Sequence, residues 1–305
     1  MQAPALREAL DESSAWALVR ALARRASSGQ PVARSRGLMF DGRGGVRDVA
    51  PEMGLISVDP SGDPVFRTAA RVVPSVAQML DLYLPLCLGD GSARMVFGHM
   101  GQSLDAQIAT SSGASRYVTG PENIRHMHRL RALCDAVVVG AGTVECDDPQ
   151  LTTRLVPGDN PTRVVIDPAL RLSPNHRIFQ DGAAPTLVIC ARGLASNGRR
   201  VGHAEIVEVE AEGRVLPPEA ILDALARRGL GRVFVEGGGV TVSRFLEAGV
   251  FARLHVTICP IFIGRGRPGI SLPAIDDLGD ALRPRARRFE FGDDILFDCG
   301  LAGGA

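Results

Sequence analysis

Two arginines, Arg131 and Arg154, bracket a short run of small and β-branched residues, Ala136 to Val139. A guanidinium presents a planar fork of N–H donors that matches a phosphate or carboxylate. Two of them converging on one cleft would suit an anionic ester, although Arg131 alone fits a solvated helix face equally well. Between them lie Gly140-Ala141-Gly142, Thr143, and the adjacent carboxylates Asp147 and Asp148, followed by Pro149. Small residues let a backbone approach a phosphate closely, and a Thr hydroxyl can bond it. The aspartates could hold a hydroxyl-rich ligand, cap a turn or bind a metal. With no third clustered ligand, hydrogen bonding is the better reading and no metal is expected. Residues 131–154 are therefore read as the floor of a nucleotide and phosphate-ester site.

A second stretch is Glu236-Gly237-Gly238-Gly239. Glycines between a strand and a helix leave backbone N–H groups free at a helix N-terminus, which suits a pyrophosphate. Alone, such a turn is a weak signal and often only a tight connection. Glu236, at the strand's carboxyl end, could bond a polar ring or hydroxyl, or be a solvated edge residue.

Other patterns are excluded by what they lack. His126 and His128 are two apart on a helix and point to different faces, which is poor geometry for a shared metal. His203-Ala204-Glu205 has the His-x-Glu of zinc deaminases, but no Pro-Cys-x-x-Cys occurs anywhere in the chain. Ser243 stands in no Gly-x-Ser-x-Gly elbow. All 34 basic residues are arginines, which removes Schiff-base and P-loop lysine chemistry.

The elements that must position these residues follow from periodicity. Strands are expected at Met95–Met100, Ala136–Val139, Arg163–Ile166, Thr186–Cys190, Ile206–Val209, Arg232–Val235 and Arg253–Cys259. Helices are expected at 121–133, 218–228 and 241–248, and a closing antiparallel hairpin at Arg285–Phe291 and Asp294–Asp298. Gly101 to Asp105 reads as an interruption, and Gly140-Ala141-Gly142 as the start of a loop. Strands alternating with helices indicate an α/β domain with a mainly parallel sheet. It should begin near residue 94, after an extension, 1–93, of unknown role. That extension reads as a helical segment to residue 30, a Gly- and Pro-rich middle that fits turns and a small sheet, and a short apolar helix at 76–89.

The chain has 305 residues, 45% of them hydrophobic, and its 34 basic residues balance 34 acidic ones. No global field favours nucleic acid or a membrane surface. Six unpaired-looking cysteines, an acidic N-terminus and no run of about 20 apolar residues point to a cytoplasmic protein.

Several short motifs occur in a telling order: Gly101-Gln102-Ser103-Leu104-Asp105, Gly113-Ala114-Ser115-Arg116-Tyr117, Leu130-Arg131-Ala132, Asp135 to Gly140, Gly142-Thr143-Val144, Asp147-Asp148-Pro149, Leu151 to Arg154, Pro161 to Asp167 and Val235 to Gly238. Together they resemble the reductase domain of the riboflavin-biosynthesis deaminase/reductases, over roughly residues 94–300. The resemblance implies a dihydrofolate-reductase-like fold: a mainly parallel twisted sheet, helices on both faces and a C-terminal antiparallel hairpin. It implies NADPH-dependent reduction of the ribosyl group of 5-amino-6-(5-phosphoribosylamino)uracil to ribityl, the sugar-amine opening to an imine and hydride landing on C1′. Gly101, Tyr117, Thr143, Asp147, Gly238, Gly239, Val240, Thr241, Val242, Ser243 and Arg244 would contact NADPH. Ser115, Arg131, Leu151, Arg154 and Glu236 would contact the substrate, the two arginines near its phosphate. Asp105 would handle a proton, and Glu236 is counted with it as catalytic. A homodimer is usual for the family. Where the family continues Asp-Gly-Lys or Asp-Gly-Arg, this chain has Ala106 and Gln107. The family's frequently fused zinc deaminase domain is not recognisable, so a stand-alone reductase is expected. The alternative reading is a reductase of the same fold acting on another heterocycle, such as a dihydropterin or a specialised metabolite. A non-catalytic binding or regulatory protein is a third.

Overall fold

A computed structural model describes residues 10–30, 36–41, 45–59, 66–68, 72–88, 94–115, 118–195 and 200–301. They divide into two compact units, Met1–Ala93 and Arg94–Ala305. In the first, α1 (Glu12–Ser27) is followed by β1 (Arg36–Phe40), β2 (Val46–Val49), β3 (Ile56–Val58), β4 (Phe66–Thr68) and α2 (Pro74–Leu88). Asp11 caps α1 by accepting the Ser14 amide at 2.7 Å. The apolar faces of the two helices meet, with Trp16 set edge-on to Tyr83 at 5.7 Å between ring centroids. The strands form an antiparallel sheet in the order β2-β1-β3-β4.

The second unit contains β5 (Met95–Ser103), β6 (Gln107–Thr110), α3 (Pro121–Ala132), β7 (Ala136–Gly140), α4 (Ala141–Asp147), β8 (Thr162–Ile166), α5 (Arg177–Gln180), β9 (Thr186–Ala191), β10 (Glu205–Val209), α6 (Pro218–Ala226), β11 (Arg232–Glu236), α7 (Gly239–Glu247), β12 (Arg253–Cys259), β13 (Gly266–Pro268), β14 (Arg285–Phe291) and β15 (Asp294–Gly300). Its nine-stranded sheet runs β10-β9-β8-β7-β11-β5-β12-β15-β14. Pairing is parallel from β10 to β12 and antiparallel through β15 and β14.

Burial of both faces explains the unbroken apolar strands. On one face Val96, Val138, Val164, Val233 and Val235 pack with Ile221 and Leu225 of α6 and Val242 and Phe245 of α7. On the other, Phe97 stacks on Phe234 at 5.4 Å, and His99 bonds Asn123 of α3. Helices therefore cover both faces, and the dihydrofolate-reductase-like arrangement with its terminal hairpin is the fold.

Two local expectations are corrected, and one element was not foreseen. Residues 141–147 form α4 instead of a loop. Gly140 caps its start, Ala141 and Val144 are buried, and Asp148 closes it in the left-handed region at φ 41°. β5 is not interrupted at Gly101, because β12 stays in register with it as far as Ser103 opposite Cys259. β6 and β13 form a separate two-stranded ribbon.

Candidate active site

The carboxyl ends of β7 and β11 are neighbours in the sheet, and the carboxyl ends of the strands are where open α/β sheets bind ligands. Arg131, from the last turn of α3, reaches Glu236 at the end of β11. Its Nε donates to Oε2 at 2.8 Å and its Nη2 to Oε1 at 2.5 Å, while Nη1 donates to the Thr152 carbonyl at 3.1 Å. Both side chains are largely buried, 10% and 13% exposed. Burial works against the Arg131 charge, but Glu236 more than offsets it, and the guanidinium ends above its ordinary pKa. The geometry is that of a bidentate buried pair.

Four backbone groups of the segment after Pro149 are held by side chains. Arg163 of β8 donates to the Gln150 carbonyl at 3.3 Å. Leu151 is buried with φ 52°, a left-handed conformation that strains a non-glycine residue. The Thr153 amide bonds Asn160 at 2.8 Å, and the Arg154 amide donates to His128 Nδ1 at 3.0 Å. The Arg154 guanidinium donates from Nη1 to Thr152 Oγ1 at 2.6 Å. Burial, then the nearby Arg131 charge, lowers its pKa. An anion arriving here would relieve that repulsion.

Beyond Glu236, the start of α7 meets α4. The Gly238 amide donates to Thr143 Oγ1 at 3.2 Å. Gly237 needs its lack of a side chain, at φ 89°. At Gly239 a Cβ would fall 2.2 Å from the Gly269 carbonyl oxygen, so backbone lies directly against the first residue of α7. The helix has nine residues, enough to present an unsatisfied, positively polarised N-terminus. Ser115 Oγ donates to Asp147 at 3.2 Å beside it, and Arg267 Nη1 donates to the exposed Cys146 Sγ at 2.9 Å.

Asp105 sits in the tight turn between β5 and β6. Ser103 Oγ donates to it at 2.5 Å, and the Ile263 and Gly264 amides at 3.1 and 2.7 Å. The Ser103 hydroxyl first, then the Ile263 amide, holds its pKa down at about 2. Such a carboxyl is ionised at neutral pH, able to accept a proton but holding none to donate, and its three bonds brace the turn. Ala106 occupies the left-handed region at φ 59°, and Gln107 Nε2 donates to the Asp105 carbonyl at 2.9 Å.

The structure brings Arg131, Arg154 and Glu236 together, and separately gathers Thr143, Gly238, Gly239 and Thr241 near the end of β7. Val240 and Arg244 are exposed on α7. The Val242 side chain, by contrast, lies wholly in the core, and Ser243 Oγ accepts the Ser271 amide at 2.8 Å. Those two side chains face inward because they lie on the helix's apolar stripe. Leu151 likewise turns its side chain into the protein, which leaves only its backbone for a ligand. Gly101 is packed against Thr119, and Tyr117 lies outside the described residues. No group of His, Cys, Asp and Glu among the described residues could hold a metal. Sequence reasoning missed Arg163 and the role of His128. An arginine opening an otherwise apolar strand was the available signal for the first; for the second there was none beyond the residue type.

Comparison with known proteins places the chain in a family. The family model described as RibD C-terminal domain matches residues 85–291. The 2,5-diamino-6-ribosylamino-4(3H)-pyrimidinone 5′-phosphate reductase of Methanothermobacter thermautotrophicus is 35% identical over 212 residues, covering 66% of this chain and 95% of that protein. The riboflavin biosynthesis protein RibD of Aquifex aeolicus is 32% identical over 202 residues, and the match spans 64% of this chain but only 54% of RibD. A deaminase/5-amino-6-(5-phosphoribosylamino)uracil reductase from Thermotoga maritima superposes with a TM-score of 0.58 at 26% identity, over 76% of this chain and 64% of that one. A match across the central strands, the Asp-Asp-Pro segment and the Glu-Gly-Gly turn leaves one assignment: the chain belongs to the RibD C-terminal domain family.

Proposed function

We propose that this chain is the reductase of riboflavin biosynthesis that converts the ribosyl group of 5-amino-6-(5-phosphoribosylamino)uracil to ribityl with NADPH. The observation that carries the reading is the pair of guanidinium groups, Arg131 on Glu236 at the end of β11 and Arg154 on Thr152, together with the glycine-rich helix start that follows β11. Arg154 takes the substrate phosphate, and Arg131, oriented by Glu236, lends its remaining donors. Glu236 lies within reach of the opened sugar's hydroxyls. Asp105 fixes the β5–β6 turn against residues 263–264.

The residues fit a dinucleotide. Thr143, Gly238, Gly239 and the α7 N-terminus would hold its pyrophosphate, with the exposed Val240 and Arg244 beside it. A Cβ on Gly142 would meet no atom within 4 Å, which leaves that side open. When bound, NADPH supplies the hydride. The chain's own contribution is to orient the acyclic imine, keep its phosphate fixed and limit water at C1′. The expected homodimer and cytoplasmic location belong to the same reading.

The nearly full-length match to a reductase named for the diaminopyrimidinone favours that compound as a second substrate candidate. The dihydropterin alternative has no such support. NADPH oxidation, followed by its absorbance with each pyrimidine and with dihydrofolate, distinguishes them. Arg154→Ala should raise KM for the phosphorylated pyrimidine roughly 10- to 100-fold, the value of one charge-assisted hydrogen bond. No turnover with either pyrimidine would sink the proposal.

A further inference from the structure

His128 is not part of the chemistry proposed above, yet it is almost wholly buried, 3% exposed, directly behind the Arg154 loop. Its Nδ1 accepts the Arg154 backbone amide at 3.0 Å. Only an unprotonated Nδ1 can accept. Burial, then the Arg131 and Arg154 charges, pushes the imidazole down to about 4, so that lone pair is present at neutral pH.

The loop it holds has reason to move. Leu151 sits in the left-handed region three residues before Arg154, and such a conformation persists only where surrounding bonds over-determine it. Arg163, Arg131 and Asn160 fix Gln150, Thr152 and Thr153. His128 supplies the bond at Arg154 itself. Among the described residues, the Arg154 side chain itself is steadied by Thr152, through Nη1.

We infer that His128 is a positioning residue for the anion grip: its neutral imidazole pins the Arg154 backbone and so presents the guanidinium to the phosphorylated substrate. The inference rests on the reading of Arg154 as phosphate ligand. It assigns His128 no contact with the reacting atoms, and its removal should therefore weaken binding far more than it slows hydride transfer.

The test uses the full chain and the phosphorylated pyrimidine, alongside its dephosphorylated riboside. His128→Leu removes the acceptor and should raise KM for the phosphorylated substrate about tenfold, the effect of leaving one buried amide unsatisfied, with kcat within about twofold. The riboside should be turned over equally well by variant and wild type. His128→Asn places an amide oxygen near the Nδ1 position and should restore KM to within about twofold of wild type, and it serves if the leucine variant does not fold. In the double variant with Arg154→Ala, the His128→Leu effect should vanish, because the grip it orients is gone. Equal effects on phosphorylated and dephosphorylated substrates, a loss confined to kcat, or no rescue by asparagine would overturn the inference. If wild type turns over neither pyrimidine, the functional reading fails first and takes this inference with it.

Discussion

Glu236→Gln should be among the most destabilising single-atom changes available in the second unit. The substitution keeps size and shape but replaces the carboxylate that accepts two donors from Arg131. Both side chains are nearly buried, so the Arg131 charge is left in low dielectric with the Thr152 carbonyl and one amide oxygen for company. Breaking a buried pair on one side typically costs about 3–5 kcal/mol. The retained amide oxygen argues for the lower end, about 3 kcal/mol. For a unit the size of Arg94–Ala305, each kcal/mol moves the midpoint by roughly 2–4 °C, which gives a fall of about 6–12 °C. Far-UV circular dichroism follows the whole sheet, while Trp16, the one tryptophan, reports on the first unit. Replacing both partners, with Arg131→Met and Glu236→Leu, removes the charges together and should lose less than the sum of the singles by at least about 2 kcal/mol. A Glu236→Gln midpoint within about 2 °C of wild type, or strictly additive singles, would refute the buried-pair reasoning.

Two more outcomes follow from the same accounting of donors and protons. Asp105, held at about 2, should contribute no limb to kcat/KM between about pH 5 and pH 9, and Asp105→Asn should lower the profile without reshaping it; a limb that disappears in the variant would mean that Asp105 titrates in the reaction. His99, His126 and His128 are all kept neutral chiefly by burial, His99 with a pKa lowered to about 3 and His128 to about 4. The unfolded chain binds their protons from about pH 6.5 downward while the folded one does not, so stability is full above that pH and falls below it by up to about 1.4 kcal/mol per pH unit per histidine. Below about pH 4 the loss continues at Asp298, whose buried carboxylate is held well under its usual range despite the cost of burial, by His255 and Arg253. A thermal midpoint unchanged from pH 7 to about pH 5 would mean the three imidazoles are not held as described.

The parallel strands were legible because burial on two faces leaves contiguous β-branched runs, such as Ala136–Val139, that few other structures tolerate. α4 was not. Seven residues that open Ala-Gly-Thr carry no helical period, and what makes them helical is the buried docking of Ala141 and Val144 at the end of β7. The β6–β13 ribbon was hidden for another reason. Gln107 and Pro268 pair across a long stretch of chain, and neither short segment alternates long enough to announce itself.

In the site, residue types were readable and their partners were not. A guanidinium has five N–H donors, and its role depends on how many the protein already occupies. Arg163 bonds Thr186, Gln150, Asp181 and Ala184, four bonds that engage all three of its nitrogens and make it a brace. Arg131 bonds Glu236 twice and Thr152 once, so it is part brace and part donor. Arg154 gives one side-chain bond among the described residues, to Thr152, and its charge is disfavoured by burial and by Arg131. All three look alike in the sequence. Only the partners brought in from β9, β11 and the segment after Pro149 separate them, and they rank Arg154 first as the group with most to gain from an arriving phosphate.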